Sequence, residues 1–114
     1  MIRYYHNPRC SKSREGLQLL QQHGAQLEVI EYLKTPPSAD ELAAIIAMLG
    51  GDPRSMMRKK EEEYAALHLD DVTLENKHLI QAMLAHPKLI ERPLAVSNGK
   101  AAIGRPPENL LALL

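Results

Sequence analysis

The stretch IRYYHNPRCSKSREGLQLLQQHGAQLEVIEY, Ile2–Tyr32, decides the fold. Ile2–Tyr5 is a short apolar run of the kind that opens a domain as a strand. From Ser11 onward Leu17, Leu19, Leu20 and Ala25 recur at roughly helical spacing, and Gly24 is the natural stop. Leu27–Tyr32 alternates about Val29 and Ile30 and reads as a second strand. Strand, helix and strand within about thirty residues are the size of a βαβ unit, whose crossover is expected to be right-handed.

Beyond this unit the pattern turns helical. Ser38 followed by Glu41 makes a capping box ahead of Leu42, Ile45, Ile46 and Leu49, and Gly50-Gly51 ends that helix. Asp52-Pro53 opens a helical segment running through Met56, Met57 and Arg58. A further helix is predicted over Glu61–Leu67. Thr73 is the predicted cap of the next helix, which carries Leu74, Leu79, Ile80, Met83 and Leu84 and breaks at Pro87. Leu94–Val96 and Ala101–Ile103 flank Ser97-Asn98-Gly99-Lys100 and read as a hairpin with a tight turn at Asn98-Gly99. Pro107 can start a last helix toward Leu114. The order βαβ, helices, ββ, α predicts an α/β chain: a thioredoxin-like mixed sheet with a helical insertion between its βαβ and ββα parts.

The 114 residues suffice for one core, so a single domain over 1–114 is expected. With no Phe or Trp, that core is expected to be Leu, Ile, Val, Ala and Met. Fourteen basic and fourteen acidic side chains cancel, which argues against nucleic-acid binding through a general field. No apolar run approaches a membrane span, and His6 interrupts the first strand too early for a signal peptide. A single cysteine cannot form an internal disulfide, which fits a reducing cytoplasm.

That cysteine, Cys10, lies in His6-Asn7-Pro8-Arg9-Cys10-Ser11-Lys12-Ser13-Arg14, between strand and helix. Unpaired N–H groups and the positive end of the helix dipole favour thiolate over thiol there, and the thiolate is the nucleophile. Free cysteines are also often small buried hydrophobes. Arg9, Lys12 and Arg14 are poor company for that role and favour a reactive thiol. The same exposed amides could hold an anion. His6 can serve the thiolate as a cation, or fix its surroundings by hydrogen bonding. A capped loop histidine fits the sequence equally well.

Arg58, Arg92 and Arg105 offer planar forks of donors suited to tetrahedral oxyanions. Arg92 and Arg105 each precede a proline, which restricts their backbones and helps aim the guanidinium. Taken singly, each has solvated surface charge as its ordinary reading, and Arg54, Lys59 and Lys60 are assigned there. The run Lys59-Lys60-Glu61-Glu62-Glu63 reads as a solvated helix face with intrahelical ion pairs. His23, His68, His78 and His86 lack metal-ligand spacing with one another or with Cys10, so no metal is expected. No flavin or nicotinamide motif is visible.

The ordered motifs Tyr5–Arg14, Tyr32–Pro37, Met57–Lys60, His86-Pro87, Glu91–Leu94 and Gly104–Pro106 closely resemble the glutaredoxin-coupled arsenate reductase family, of thioredoxin-like fold. The likeness is greatest to its small bacterial subgroup with Asn-Pro-Arg-Cys-Ser-Lys-Ser-Arg. The resemblance implies that Cys10 attacks arsenate and that Arg58, Arg92 and Arg105 hold the oxyanion. It associates His6 with the thiolate's electrostatics and makes Pro93 a cis proline. The implied activity is reduction of arsenate to arsenite through a Cys10 thioarsenate, with glutathione as reducing cosubstrate and no bound cofactor. A Cys10–glutathione mixed disulfide would then be resolved by glutaredoxin. An external thiol is required by arithmetic, because reduction takes two electrons and one cysteine supplies half of a disulfide. A cytoplasmic monomer with no nucleic-acid or membrane partner is expected. The alternative is a redox-regulatory or thiol-transfer protein of the same fold that binds a protein partner without arsenate turnover. One related branch, regulators that bind RNA polymerase, senses oxidation with a Cys-x-x-Cys pair, whose second position here is Ser13.

Overall fold

Both edges of β1 (Ile2–His6) find partners, which makes it an inner strand. A computed structural model describes the whole chain, Met1–Leu114. On one side β1 pairs in parallel with β2 (Leu27–Glu31), from Ile2 opposite Leu27 to His6 opposite Glu31. On the other it pairs antiparallel with β3 (Leu94–Ser97), Tyr4 opposite Ala95. β4 (Lys100–Ile103) adds antiparallel to β3, giving the order β2-β1-β3-β4. The β3–β4 turn has positive φ at both Asn98 (51°) and Gly99 (75°), as a two-residue hairpin turn of matching twist requires.

The chain divides into two compact units, Met1–Thr35 with Arg92–Leu114, and Pro36–Glu91. The first holds the four-stranded mixed sheet, the helix α1 (Ser11–Gln22) and a closing 3-10 turn at Pro107–Leu113. α1 buries Ser13, Gly16 and Leu20, an i, i+3, i+7 stripe of mostly small residues. Leu19, counted on the apolar face from sequence, is only half-buried. The core of this unit is Ile2, Tyr4, Leu20, Ala95, Leu110 and Leu113. The expectation of a core without aromatics is corrected, since Tyr4, Tyr5 and Tyr32 are all buried. The hydroxyl of Tyr4 is accommodated by donating to the Ser13 carbonyl at 2.6 Å, and a buried phenol needs such a partner.

The second unit contains α2 (Ala39–Met48), α3 (Glu62–Ala66) and α4 (Asn76–Ala85), with 3-10 turns at Pro53–Met56 and Pro87–Leu89. Ser38 caps α2 by accepting from the Glu41 N–H, as its spacing predicts. Several expectations need correction. The helical segment opened by Pro53 stops at Met56; Met57 is extended, bridges to Ile90, and leaves the Arg58 N–H bonded to the Leu89 carbonyl at 2.7 Å. Thr73 does not cap α4. Its N–H and hydroxyl donate to Asp71, while Glu75 caps the helix in a reciprocal box with His78. Arg54 is no loose surface charge, since Nε donates to the Leu69 carbonyl (2.9 Å) and Nη2 to that of Asp71 (2.7 Å). The acidic run also pairs differently from the expected pattern: Glu61 with Arg58, and Glu63 with Lys88 at 2.7 Å. The final helix is likewise a 3-10 run.

Candidate active site

Cys10 occupies the N-cap place of α1 with extended backbone dihedrals (φ −96°, ψ 122°). The loop that delivers it is held at every step. Cys10 N–H donates to the Asn7 carbonyl (3.0 Å), Arg9 N–H to Asn7 Oδ1 (3.1 Å), and Arg14 Nη1 to the Pro8 carbonyl (2.8 Å). Cys10 is buried. Burial pushes its thiol pKa up. The Ser13 backbone N–H, the Arg92 guanidinium by hydrogen bonding and by charge, and the Lys12 backbone N–H together outweigh burial and bring it below the ordinary value. The sulfur makes no formal cap hydrogen bond, yet the amides lie close enough to act on its charge.

Two of the cations near Cys10 in sequence are engaged elsewhere. Arg14 clamps the Pro8 carbonyl, and Lys12 lies 3.7 Å from Glu15. Arg92, remote in sequence, is the charge that acts on the thiol. It is half-buried beside Cys10 and Tyr32, and its Nε is buried with no protein partner. An orphaned buried N–H of this kind is a donor still available to a ligand. Pro93 after it is cis, as the resemblance implies, and Arg105-Pro106 is cis as well. Arg105 is exposed, and its Nε donates to the Arg92 carbonyl at 2.7 Å. The structure therefore brings Cys10, Arg92 and Arg105 into one connected group. Arg58 belongs to the Pro36–Glu91 unit, where it is half-buried and ion-paired with Glu61 at 2.5 Å.

His6 connects to the same group through Ser13. Its Nδ1 lies 2.7 Å from Ser13 Oγ, which also accepts the Asn7 N–H at 3.0 Å. Ser13 is fully buried, so its hydroxyl hydrogen needs an acceptor, and Nδ1 is the one at hand. This assigns His6 as a neutral ring carrying its hydrogen on Nε2. Its pKa agrees. Burial lowers it, Glu31 opposes with its negative charge, and Arg14 adds to the lowering. Of the two functional roles open to His6 from sequence, the geometry favours positioning by hydrogen bonding over cationic stabilisation. Sequence reading missed Ser13 as the hub that joins Tyr4, His6, Asn7 and Cys10. Its i+3 spacing from Cys10, where an N-cap's amide partner falls, was the available signal.

Known proteins resemble this chain over nearly its whole length. The ArsC family pattern matches residues 5–113. The chain is 51% identical to the uncharacterized protein YfgD of Escherichia coli K12, over 99% of this chain and 96% of that one. It is 50% identical to an arsenate reductase of Neisseria meningitidis serogroup A, over 99% and 97%. The solved structure of an arsenate reductase from Vibrio cholerae superimposes with a TM-score of 0.94 at 52% identity, covering 99% of this chain and 97% of that one. Pattern, relatives and thioredoxin-like architecture coincide over the whole length, and the chain belongs to the ArsC family.

Proposed function

We propose that this protein reduces arsenate to arsenite with Cys10 as nucleophile and glutathione as reductant. The observation that carries the reading is the placement of the Arg92 guanidinium, with its unpaired buried Nε–H, beside a thiol whose pKa is lowered. Thiolate attack forms an S–As(V) bond and expels one arsenate oxygen as water, after protonation. Arg92, Arg105 and Arg58 hold the remaining oxyanion charge. Glutathione thiolate then attacks the Cys10 sulfur. An S–S bond forms, the S–As bond breaks, and its electron pair passes to arsenic, giving As(III). Glutaredoxin removes the glutathione from Cys10 by a second exchange. The relatives named arsenate reductase support the substrate, and the lone cysteine supports an external reductant. The working form in this reading is a cytoplasmic monomer with no bound cofactor.

The test is arsenate reduction with glutathione and glutaredoxin. Cys10→Ser is expected to abolish turnover. Arg92→Ala is expected to lose about one to two decades in kcat/KM, the equivalent of one charge-assisted hydrogen bond. Arg92→Lys should restore only part of this, because a point charge lacks the guanidinium fork. The same comparison at Arg58 and Arg105 separates ligand contact from positioning. Wild-type turnover in Cys10→Ser, or turnover sustained by thioredoxin alone, would sink the scheme. Mixed-disulfide formation without any arsenate turnover would instead identify a thiol-transfer protein.

A further inference from the structure

A cleft of about 260 Å³ opens between the turn preceding Cys10 and the end of β2. Pro8 and Leu33 give it apolar walls, Arg9, Glu31 and Lys34 its charges, and the His6 ring part of its lining. Leu33 remains about half exposed, an apolar side chain kept at the cleft rather than in the core. Lys34 Nζ stands 3.4 Å from Glu31 Oε1, and both side chains are well exposed. An ion pair of that kind contributes little and exchanges readily for a ligand's charges.

We propose that this cleft seats the reducing thiol tripeptide of the reaction, with its γ-glutamyl end on Glu31 and Lys34. The assignment rests on the proposed glutathione-dependent chemistry and says where that cosubstrate binds. Opposite charges close together on one surface match an amino-acid zwitterion, with ammonium to Glu31 and carboxylate to Lys34. The cleft carries two cations and one carboxylate, Arg9, Lys34 and Glu31. The tripeptide carries the complement, two carboxylates and one ammonium. Arg9, next to Cys10 in the chain, supplies the cation for the second carboxylate. His6 has its Nδ1 engaged by Ser13, which leaves Nε2–H as the donor it can offer a ligand.

The test uses thiol–disulfide exchange, without arsenate. Cys10 thiolate attacks oxidised glutathione, the glutathione S–S bond breaks, a Cys10–glutathione bond forms and one glutathione thiolate leaves. Intact mass follows the rate for wild type, Glu31→Gln and Lys34→Gln, and the same rates are taken with neutral bis(2-hydroxyethyl) disulfide. Each variant is expected to slow about fivefold to tenfold with oxidised glutathione, the discounted loss of one exposed charge-assisted contact, and to keep the wild-type rate with the neutral disulfide. Equal losses with both disulfides would mean that the charges act on the thiolate itself, and would overturn the assignment. Unchanged rates with both would overturn it too. Because neither arm involves arsenate, an enzyme inactive on arsenate can still show the discriminating loss. An enzyme active on arsenate but indifferent to these substitutions discards the cleft alone.

Discussion

A thiol at a helix N-terminus is set by competing contributions, and Cys10 shows which one decides. Burial favours the neutral thiol, and the amides of Ser13 and Lys12 with the Arg92 guanidinium reverse it. Arg92 is the only one of these that a side-chain substitution removes. Arg92→Ala is therefore expected to raise the Cys10 titration midpoint, read by thiolate absorbance or by alkylation rate against pH. In wild type that midpoint is expected below the ordinary cysteine value. Lys12→Ala should leave it in place, because Lys12 acts through its backbone N–H and its ammonium faces Glu15. A wild-type midpoint at or above the free value would remove the physical case for a nucleophile.

At the scale of elements, two glycines let α1 and the strand β4 close on the Arg92-Pro93 step. A Cβ on Gly16 would stand 2.5 Å from Tyr4 Oη, 2.8 Å from Leu110 Cδ1 and 3.1 Å from Pro93 Cγ. One on Gly104 would stand 2.7 Å from Pro93 Cγ and 2.9 Å from Leu110 Cδ1. Pro93 thus packs directly against both glycines, where no Cβ fits without a shift. Gly104→Ala is expected to cost about 1–3 kcal/mol by overpacking, and to raise the Cys10 midpoint as Pro93 carries Arg92 away. Gly24→Ala is the contrast. Its φ of +74° makes any side chain strained, yet nothing lies within 4 Å. It should cost about 1 kcal/mol and leave the Cys10 titration unchanged. Denaturation midpoints and the thiol titration of both variants decide the matter. Equal behaviour of the two in the thiol titration would mean that Pro93 does not transmit strain to Arg92.

For the whole molecule, the buried neutral His6 ties stability to pH. Its folded pKa is depressed, so the unfolded chain binds the proton more readily. The contribution of His6 is complete above its unfolded value of about 6.5 and is lost as pH falls through the folded value. Urea unfolding from about pH 8 to about pH 5 should show stability declining on the acid side. His6→Ala should make that decline shallower while lowering stability near neutrality, because the Ser13 hydroxyl loses its acceptor. An identical slope in the variant would assign the acid limb to other groups.

The βαβ start, the Ser38 cap and the Asn98-Gly99 turn were legible in the chain because each depends on local torsions and on contacts within a few residues. Thr73 and the Met57–Arg58 segment were misread where a neighbour outcompeted the local signal: Asp71 captured Thr73, and Ile90 drew Met57 into a bridge. The lone cysteine at a strand-to-helix junction, and the family motifs around it, singled out Cys10 as the candidate nucleophile from sequence alone. Which cation serves it was decided by the tertiary structure. Sequence proximity favoured Arg9, Lys12 and Arg14, but packing the Arg92-Pro93 step against Gly16 and Gly104 delivered a distant guanidinium instead. The neutral state of His6 was likewise beyond the sequence. It follows from burial and from a hydroxyl that has the ring nitrogen within hydrogen-bond reach, and both exist only once β1 and α1 are packed together.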